Sequence, residues 1–326
     1  MSALWSLTSS KGIFGLDIGF ETMKLVELRK ENGKNRLLGA SNYALTKRIL
    51  EKDKFQDKAA TAEMIKKACL AAKPNPITAK KIVSALPETF VFSKTIQMPK
   101  MSPKEYEQAL PMEAAQYIPI PIEEMYLDHQ VLMEHANEPL VDLLLVATPK
   151  QLVDDYVEVA QMAGCELVAL ETKPLAAGRA LLSKKEPRGS LILEIGTVVS
   201  RISVWNRNNI MLTTTVSVGK NTILPTIKEG EDQLFGHSSS QQEVVEPIVE
   251  EVTNVIRYHQ NRYYSPKPIE RILLCGSGAC FKGIDKYFEK SAGIKTNIAQ
   301  LEVVTKDRLD PEFVTSFGLA LRDEYE

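Results

Sequence analysis

The sequence predicts an α/β fold made by duplicating a three-strand meander, with a small α+β insert in the first copy. Three observations carry this. Asp17-Ile18-Gly19 is followed after four residues by Lys24, and Glu194-Ile195-Gly196 after four residues by Arg201. Each copy of this acidic-Ile-Gly-x4-basic pattern lies at a turn between strand-like runs, Ile13-Phe14-Gly15-Leu16 and Met23-Lys24-Leu25-Val26 in the first, Leu191-Ile192-Leu193 and Arg201-Ile202-Ser203-Val204 in the second. Each continues into a third apolar stretch, 36–40 and 210–214, whereas the segment 90–164 has no counterpart in the second half.

After the first meander, Met64, Ile65, Ala68, Cys69 and Ala72 recur at three-and-four spacing, which predicts a helix over 57–72 stopped by Pro74 and Pro76. Ile82 to Leu86 reads as a short buried strand. The insert then offers a half-exposed strand over 90–98 and a helix from Ser102 with Pro103 in its first turn, where a missing N–H costs little. Pro111 should kink that helix, and Ile118-Pro119-Ile120-Pro121 forces an extended link. A hairpin over 124–133 and 140–148 turns at His135 to Pro139, and an amphipathic helix over 150–163 ends at Gly164. A strand at 165–170 and a helix at 174–182 lead to a loop at 184–189, the expected hinge. In the second half a polar loop, 230–239, precedes a long helix whose capping box is read as Ser240 with Glu243. Val245, Ile248, Val249, Val252, Val255 and Ile256 form its apolar stripe. Ile272-Leu273-Leu274 is a strand, Gly276-Ser277-Gly278-Ala279 a tight turn towards a helix with Ile284 and Phe288, and 311–322 a closing helix. The expected organisation is a tail at 1–12, a first half at 13–89, the insert at 90–164, the rest of the first half and a connection at 165–187, and a second half at 188–326.

At 326 residues the chain is about two domains long on a prior of roughly 150 residues each. A net charge of -2 removes the basic excess that nucleic-acid binders usually show. Cys69, Cys165, Cys275 and Cys280 make no CxxC pair and stand near no histidine at zinc-ligand spacing, so they read as small core residues of a protein from a reducing compartment. No run reaches the roughly 18 apolar residues of a membrane span, and the first ten residues do not form a signal peptide. Leu4, Trp5 and Leu7 read as part of a loose tail.

Glycines at strand turns let backbone N–H groups approach phosphate oxygens. Gly19 with Thr22, and Gly196 with Thr197 and Ser200, are such turns, and Gly276-Ser277-Gly278 after a strand is a third. Two facing hairpins would clamp a phosphate chain between the halves. Asp17 and Glu194 would hold Mg²⁺ through water, since this ion uses few carboxylates, and Lys24 would neutralise a phosphate. The bland alternative is that these are tight hairpins needing positive φ, which suits any single glycine better than the whole set.

In this order the turns resemble the actin-like ATPase superfamily, the ribonuclease H-like group that includes actin, Hsp70, sugar kinases and FtsA. Gly15 to Gly19 with Lys24 to Leu28 resembles its first phosphate loop, Leu193 to Gly196 through Ser200 the second, Gly276-Ser277-Gly278-Ala279 its adenosine turn, and Phe317-Gly318-Leu319-Ala320 its closing connection. Val83-Ser84-Ala85-Leu86-Pro87, Ile96-Gln97-Met98-Pro99, Ala114-Ala115-Gln116-Tyr117-Ile118-Pro119, Val146-Ala147-Thr148-Pro149-Lys150 and Pro174-Leu175-Ala176 resemble the PilM family of type IV pilus assembly proteins. The resemblance spans 12–322 and implies duplicated βββαβα domains, with the insert as the 1C (SHS2-like) subdomain. It implies ATP and Mg²⁺ as ligands. Phe20 stands where the family has a small hydroxyl residue, and Glu194 where it has an aspartate, which implies slow or absent turnover.

On that resemblance the leading function is an adaptor that docks the cytoplasmic N-terminal peptide of the inner-membrane protein PilN. Such a protein would be cytoplasmic, peripheral to the inner membrane through its partner, and in touch with other platform and motor proteins of the pilus. The peptide would lie in a groove of the insert beside the first half, with Ile118 and Ile120 as candidate lining. A small-molecule kinase of the superfamily is a second reading, although no catalytic base can be named. An FtsA-like filament protein is a third, against which stands the acidic end at Arg322-Asp323-Glu324-Tyr325-Glu326. Self-association stays open.

Overall fold

The structure, a computed structural model, describes residues 12–51, 54–134, 139–182, 189–206, 209–227, 235–236, 238–262, 268–305 and 308–322. The expectations for the N-terminal tail, the hairpin turn at 135–138, the hinge at 184–188 and most of the loop at 230–239 therefore lie outside the described residues. In chain order the elements are β1 (Ile13–Ile18), β2 (Thr22–Glu31), β3 (Lys34–Ala44), β4 (Leu50–Glu51), β5 (Lys54–Phe55), α1 (Lys58–Ala71), β6 (Lys73–Pro74), β7 (Lys81–Leu86) and β8 (Phe92–Pro99). There follow α2 (Pro103–Ala114), β9 (Met125–Glu134), β10 (Leu140–Pro149), α3 (Lys150–Met162), β11 (Glu166–Thr172) and α4 (Lys173–Leu181). The remainder is β12 (Gly189–Ile195), β13 (Ser200–Asn206), β14 (Asn209–Val216), α5 (Lys220–Ile223), α6 (Ser239–Arg262), β15 (Ile269–Cys275), α7 (Ile284–Ala292), β16 (Thr296–Ile298) and α8 (Val314–Ala320).

The chain forms two compact units. The first comprises 1–87, 152–180 and 301–326, and the second 88–151 and 181–300. In the first unit the sheet order is β11-β7-β1-β2-β3-β6, with β1, β2 and β3 antiparallel and β7 and β11 added in parallel. The second unit repeats this order as β14-β13-β12-β15-β16, again an antiparallel meander followed by two parallel strands. The repeated topology is the duplication that the two sequence patterns predict.

β1 and β12 are buried along their whole length, as strands in the middle of a sheet covered on both faces must be. In the first unit α1 buries Met64, Ile65 and Ala68 from the predicted stripe, and Asp57 caps it by accepting from the Ala60 N–H. The closing helix α8 buries Val314, Phe317 and Leu319. It can lie close to α4 because residue 318 is glycine: a Cβ there would stand 1.9 Å from the Ala176 carbonyl oxygen.

The insert has its own sheet, β8-β10-β9, covered by α2 through Ile96, Leu110, Ala114, Leu143 and Leu145. Ser102 and Glu105 form a reciprocal capping box, and Pro111 sits inside the helix, which ends at Ala114. The helix α3, read from sequence as part of the insert, groups from Leu152 onward with the first unit, where Leu152, Tyr156, Val159 and Ala160 are buried. In the second unit α6 buries Val245, Ile248, Val252 and Val255 as the stripe predicts. Its cap differs from the predicted one. The Ser238 hydroxyl accepts from the Gln241 N–H at 3.3 Å while the Gln241 side-chain Oε1 accepts from the Ser238 N–H at 3.5 Å, so the box is Ser238 with Gln241 rather than Ser240 with Glu243. Gln241 wins because its side chain also accepts the Gly236 N–H at 2.9 Å.

Candidate functional site

The two acidic-Ile-Gly turns are built alike. In the first, the Gly19 N–H donates to the Thr22 carbonyl at 2.9 Å; in the second, the Gly196 N–H donates to the Val199 carbonyl at 3.0 Å. Neither glycine has a positive φ. Their requirement is close approach: a Cβ at Gly19 would stand 2.9 Å from the Thr22 oxygen, and one at Gly196 2.7 Å from the Val199 oxygen. The positive-φ explanation therefore fails at both turns.

The charged residues follow the ladder register. Asp17 faces Lys24 across β1 and β2, and Glu194 faces Arg201 across β12 and β13. In the second unit this pair closes on itself. Arg201 donates to both Glu194 carboxylate oxygens, at 3.1 and 2.5 Å, and both residues are buried. In the first unit the pairing is exchanged. Lys24 donates to the Thr22 hydroxyl at 2.8 Å and lies 3.9 Å from a Glu312 carboxylate oxygen. Asp17 instead meets Lys173, the first residue of α4, at 2.6 Å, and Lys173 also donates to the Ile18 carbonyl at 3.3 Å. Burial, with the negative charge of Asp17 second, holds the Tyr156 hydroxyl above its ordinary pKa. Next to Glu194, burial first and the carboxylate second push the Cys275 thiol well up, with Arg201 opposing.

Thr197 and Ser200 stand in the second turn. The Thr197 carbonyl accepts the Asn221 N–H at the start of α5, and the Ser200 hydroxyl donates to the Val218 carbonyl at 2.7 Å. The third turn packs onto the second: Gly276 has φ +84, and a Cβ at Gly278 would stand 2.2 Å from the Ile195 side chain. Gly278 is thus small because Ile195 lies against it. Ser277 differs from its neighbours in that its hydroxyl oxygen is buried without a hydrogen-bond partner among the described residues. A buried hydroxyl left unmatched is costly, so a ligand atom there would be favoured.

Of the predicted phosphate and metal groups, then, Lys24, Asp17 and Glu194 are engaged by Thr22 with Glu312, by Lys173 and by Arg201, and Ser277 offers an open valence. Sequence reading missed Lys173 and Glu312. A lysine opening a helix is unfavourable against the helix dipole, and that misfit at the first turn of α4 was the available signal. For the insert, Ile118 is buried in its core and Ile120 is 41% exposed. Ile118 therefore packs the insert, and of the two only Ile120 presents a side chain outward.

Two like halves, each a meander with two parallel strands added, with paired acidic turns and a third glycine turn against the second, define an α/β protein of the actin-like class. Within that class the chain matches the family described as Type IV pilus assembly protein PilM over residues 15–324, and it belongs to that family. The solved structure of a PilM-PilN type IV pilus biogenesis complex is similar in fold, with a TM-score of 0.79 and 23% identity over 96% of this chain and 98% of that one. The ethanolamine utilization protein EutJ from Carboxydothermus hydrogenoformans shares the fold at a TM-score of 0.53 and 15% identity, over 94% of this chain and 88% of that one. The cell division protein FtsA of Bacillus subtilis (strain 168) is 27% identical over 134 residues, a match spanning 36% of this chain and 30% of that relative. Among the described residues no helix is long and apolar enough to cross a membrane.

Proposed function

We propose that the chain is an adaptor of type IV pilus assembly that docks the cytoplasmic N-terminal peptide of a PilN-like inner-membrane protein. The observation that carries this is the family match over 15–324, which includes the insert that the duplication does not explain. The insert suits the role. Its strand β9 lies at a sheet edge, and Tyr126, Val131 and Met133 on it are exposed, as are Ile120 and Met112. An edge strand offers main-chain hydrogen bonds to an added peptide, with side chains giving specificity. Through such a partner the protein would work at the cytoplasmic face of the inner membrane. Isothermal titration of the full chain with a synthetic PilN-like N-terminal peptide tests the reading. Micromolar or tighter binding, weakened by Ile120→Asp or Val131→Asp, is the expected outcome, and absence of binding overturns it.

Nucleotide binding is the second part of the reading. The unmatched Ser277 hydroxyl in the turn that resembles an adenosine site supports it, with Gly19, Thr22, Lys24, Gly196, Thr197, Gly276 and Gly278 as the remaining candidate contacts. The Gly19 and Gly196 N–H groups are spent inside their turns, so phosphate contacts would fall to neighbouring N–H groups and to Lys24. Calorimetry with ATP decides. Turnover would be slow, since on the resemblance Phe20 replaces a small hydroxyl residue and Glu194 an aspartate in the two phosphate loops; a rate near about 10 per second, the common enzyme median, would contradict this.

A further inference from the structure

The carboxylates that a phosphate-bound metal would use are already neutralised by side chains of their own units. The Lys173 ammonium is 2.6 Å from Asp17 Oδ1, and both side chains are less than a tenth exposed. Glu194 accepts two hydrogen bonds from the Arg201 guanidinium. Each pair is local to one unit. Mg²⁺ demands a near-ideal octahedral shell of oxygens at about 2 Å. A buried ammonium at 2.6 Å neutralises the charge that would draw a dication to Asp17, and a dication set beside the carboxylate would meet the like charge of the lysine. With both carboxylates neutralised in this way, the site offers a divalent cation little net negative charge.

Lys173 is also held where a cation is otherwise disfavoured, at the first residue of α4, facing the positive end of the helix dipole. Asp17 and the Ile18 carbonyl hold it at the end of β1, beside the turn at Gly19. We propose that this protein binds its nucleotide without a divalent cation, the Lys173 ammonium supplying at Asp17 the positive charge that a metal would bring. The proposal rests on the nucleotide reading above. It makes Lys173 the residue that sets the metal requirement, and it explains why the cation opposite Asp17 in the ladder, Lys24, is turned to Thr22 and Glu312 instead.

The test is calorimetric titration of the full chain with ATP, in excess magnesium and in excess EDTA. The expected result is that the affinity differs between the two buffers by less than about tenfold, or about 1.4 kcal/mol. In Lys173→Gln, checked for native circular dichroism, EDTA should weaken ATP by more than that factor, because Asp17 is then open to a metal. Wild-type binding that collapses in EDTA but persists in magnesium overturns this proposal and leaves the nucleotide reading standing. Equal affinities for Lys173→Gln in both buffers overturn the role of Lys173. No ATP binding in either buffer overturns the nucleotide reading, and this proposal with it. Should Lys173→Gln not fold, the wild-type comparison alone still decides whether a metal is needed.

Discussion

Arg201 and Glu194 form a bidentate pair on neighbouring strands, and its burial makes each depend on the other. Removing one partner of a buried pair leaves an uncompensated charge, which costs about 3–5 kcal/mol. Arg201→Ala should therefore lower the stability of the second unit by about that amount in chemical denaturation, whereas a Glu194→Gln/Arg201→Met double variant should recover much of it. The neighbouring cysteines make a second prediction at this scale. Cys275 is fully buried with its thiol pushed well above the ordinary range, while Cys280, five residues on, is exposed. Cys69 is held at about 12, chiefly by burial. Thiolate is the reactive form, so at mildly alkaline pH a thiol reagent should label Cys280 quickly and Cys275 and Cys69 only after unfolding. Mass spectrometry of peptides from the labelled native protein reads this directly. Rapid labelling of Cys275 in the native state would contradict the packing of β15 against β12.

At the scale of elements, the cap of α6 separates two readings. The sequence places the capping box at Ser240 and Glu243, and the structure places it at Ser238 and Gln241. Loss of a serine cap costs about 1 kcal/mol. Ser238→Ala should lower the unfolding free energy by about that much, while Ser240→Ala should stay within about 0.5 kcal/mol of wild type. Both serines fit the pattern equally well by composition. What distinguishes them is the position of Gly236, whose N–H is satisfied by the Gln241 side chain. A similar logic governs α8. Gly318→Ala would drive a methyl into the Ala176 carbonyl, and overpacking of this kind typically costs about 1–3 kcal/mol.

For the whole molecule, the proposal joins two ligands, a nucleotide and a partner peptide. If binding of one alters the affinity for the other, the factor must be the same in both directions. Titrating the peptide with and without saturating ATP, and ATP with and without saturating peptide, should give equal ratios. Unequal ratios would show that one of the titrations does not report a single binding equilibrium.

The duplication, the two three-strand meanders and the helical stripes were legible in the chain because they rest on local periodicity and on a spacing that recurs. Asp17 and Lys24, like Glu194 and Arg201, were matched by that spacing, and the ladder does bring each pair face to face. Which of them bond is not a property of spacing. Lys173 arrives at Asp17 from 156 residues along the chain and Glu312 at Lys24 from 288, so the exchange of partners in the first unit is decided only by where α4 and the residues before α8 pack. The same holds for the glycines. The sequence marked Gly19, Gly196, Gly276 and Gly278 as special, but whether the cause is positive φ, a carbonyl three residues on or the side chain of Ile195 depends on atoms that folding brings together. Ile118 and Ile120 look alike in an Ile-Pro-Ile-Pro link, and the cover of α2 over the insert sheet buries one and leaves the other outside. Local pattern sets which elements form; long-range packing sets which charges are spent and which side chains remain to meet a ligand.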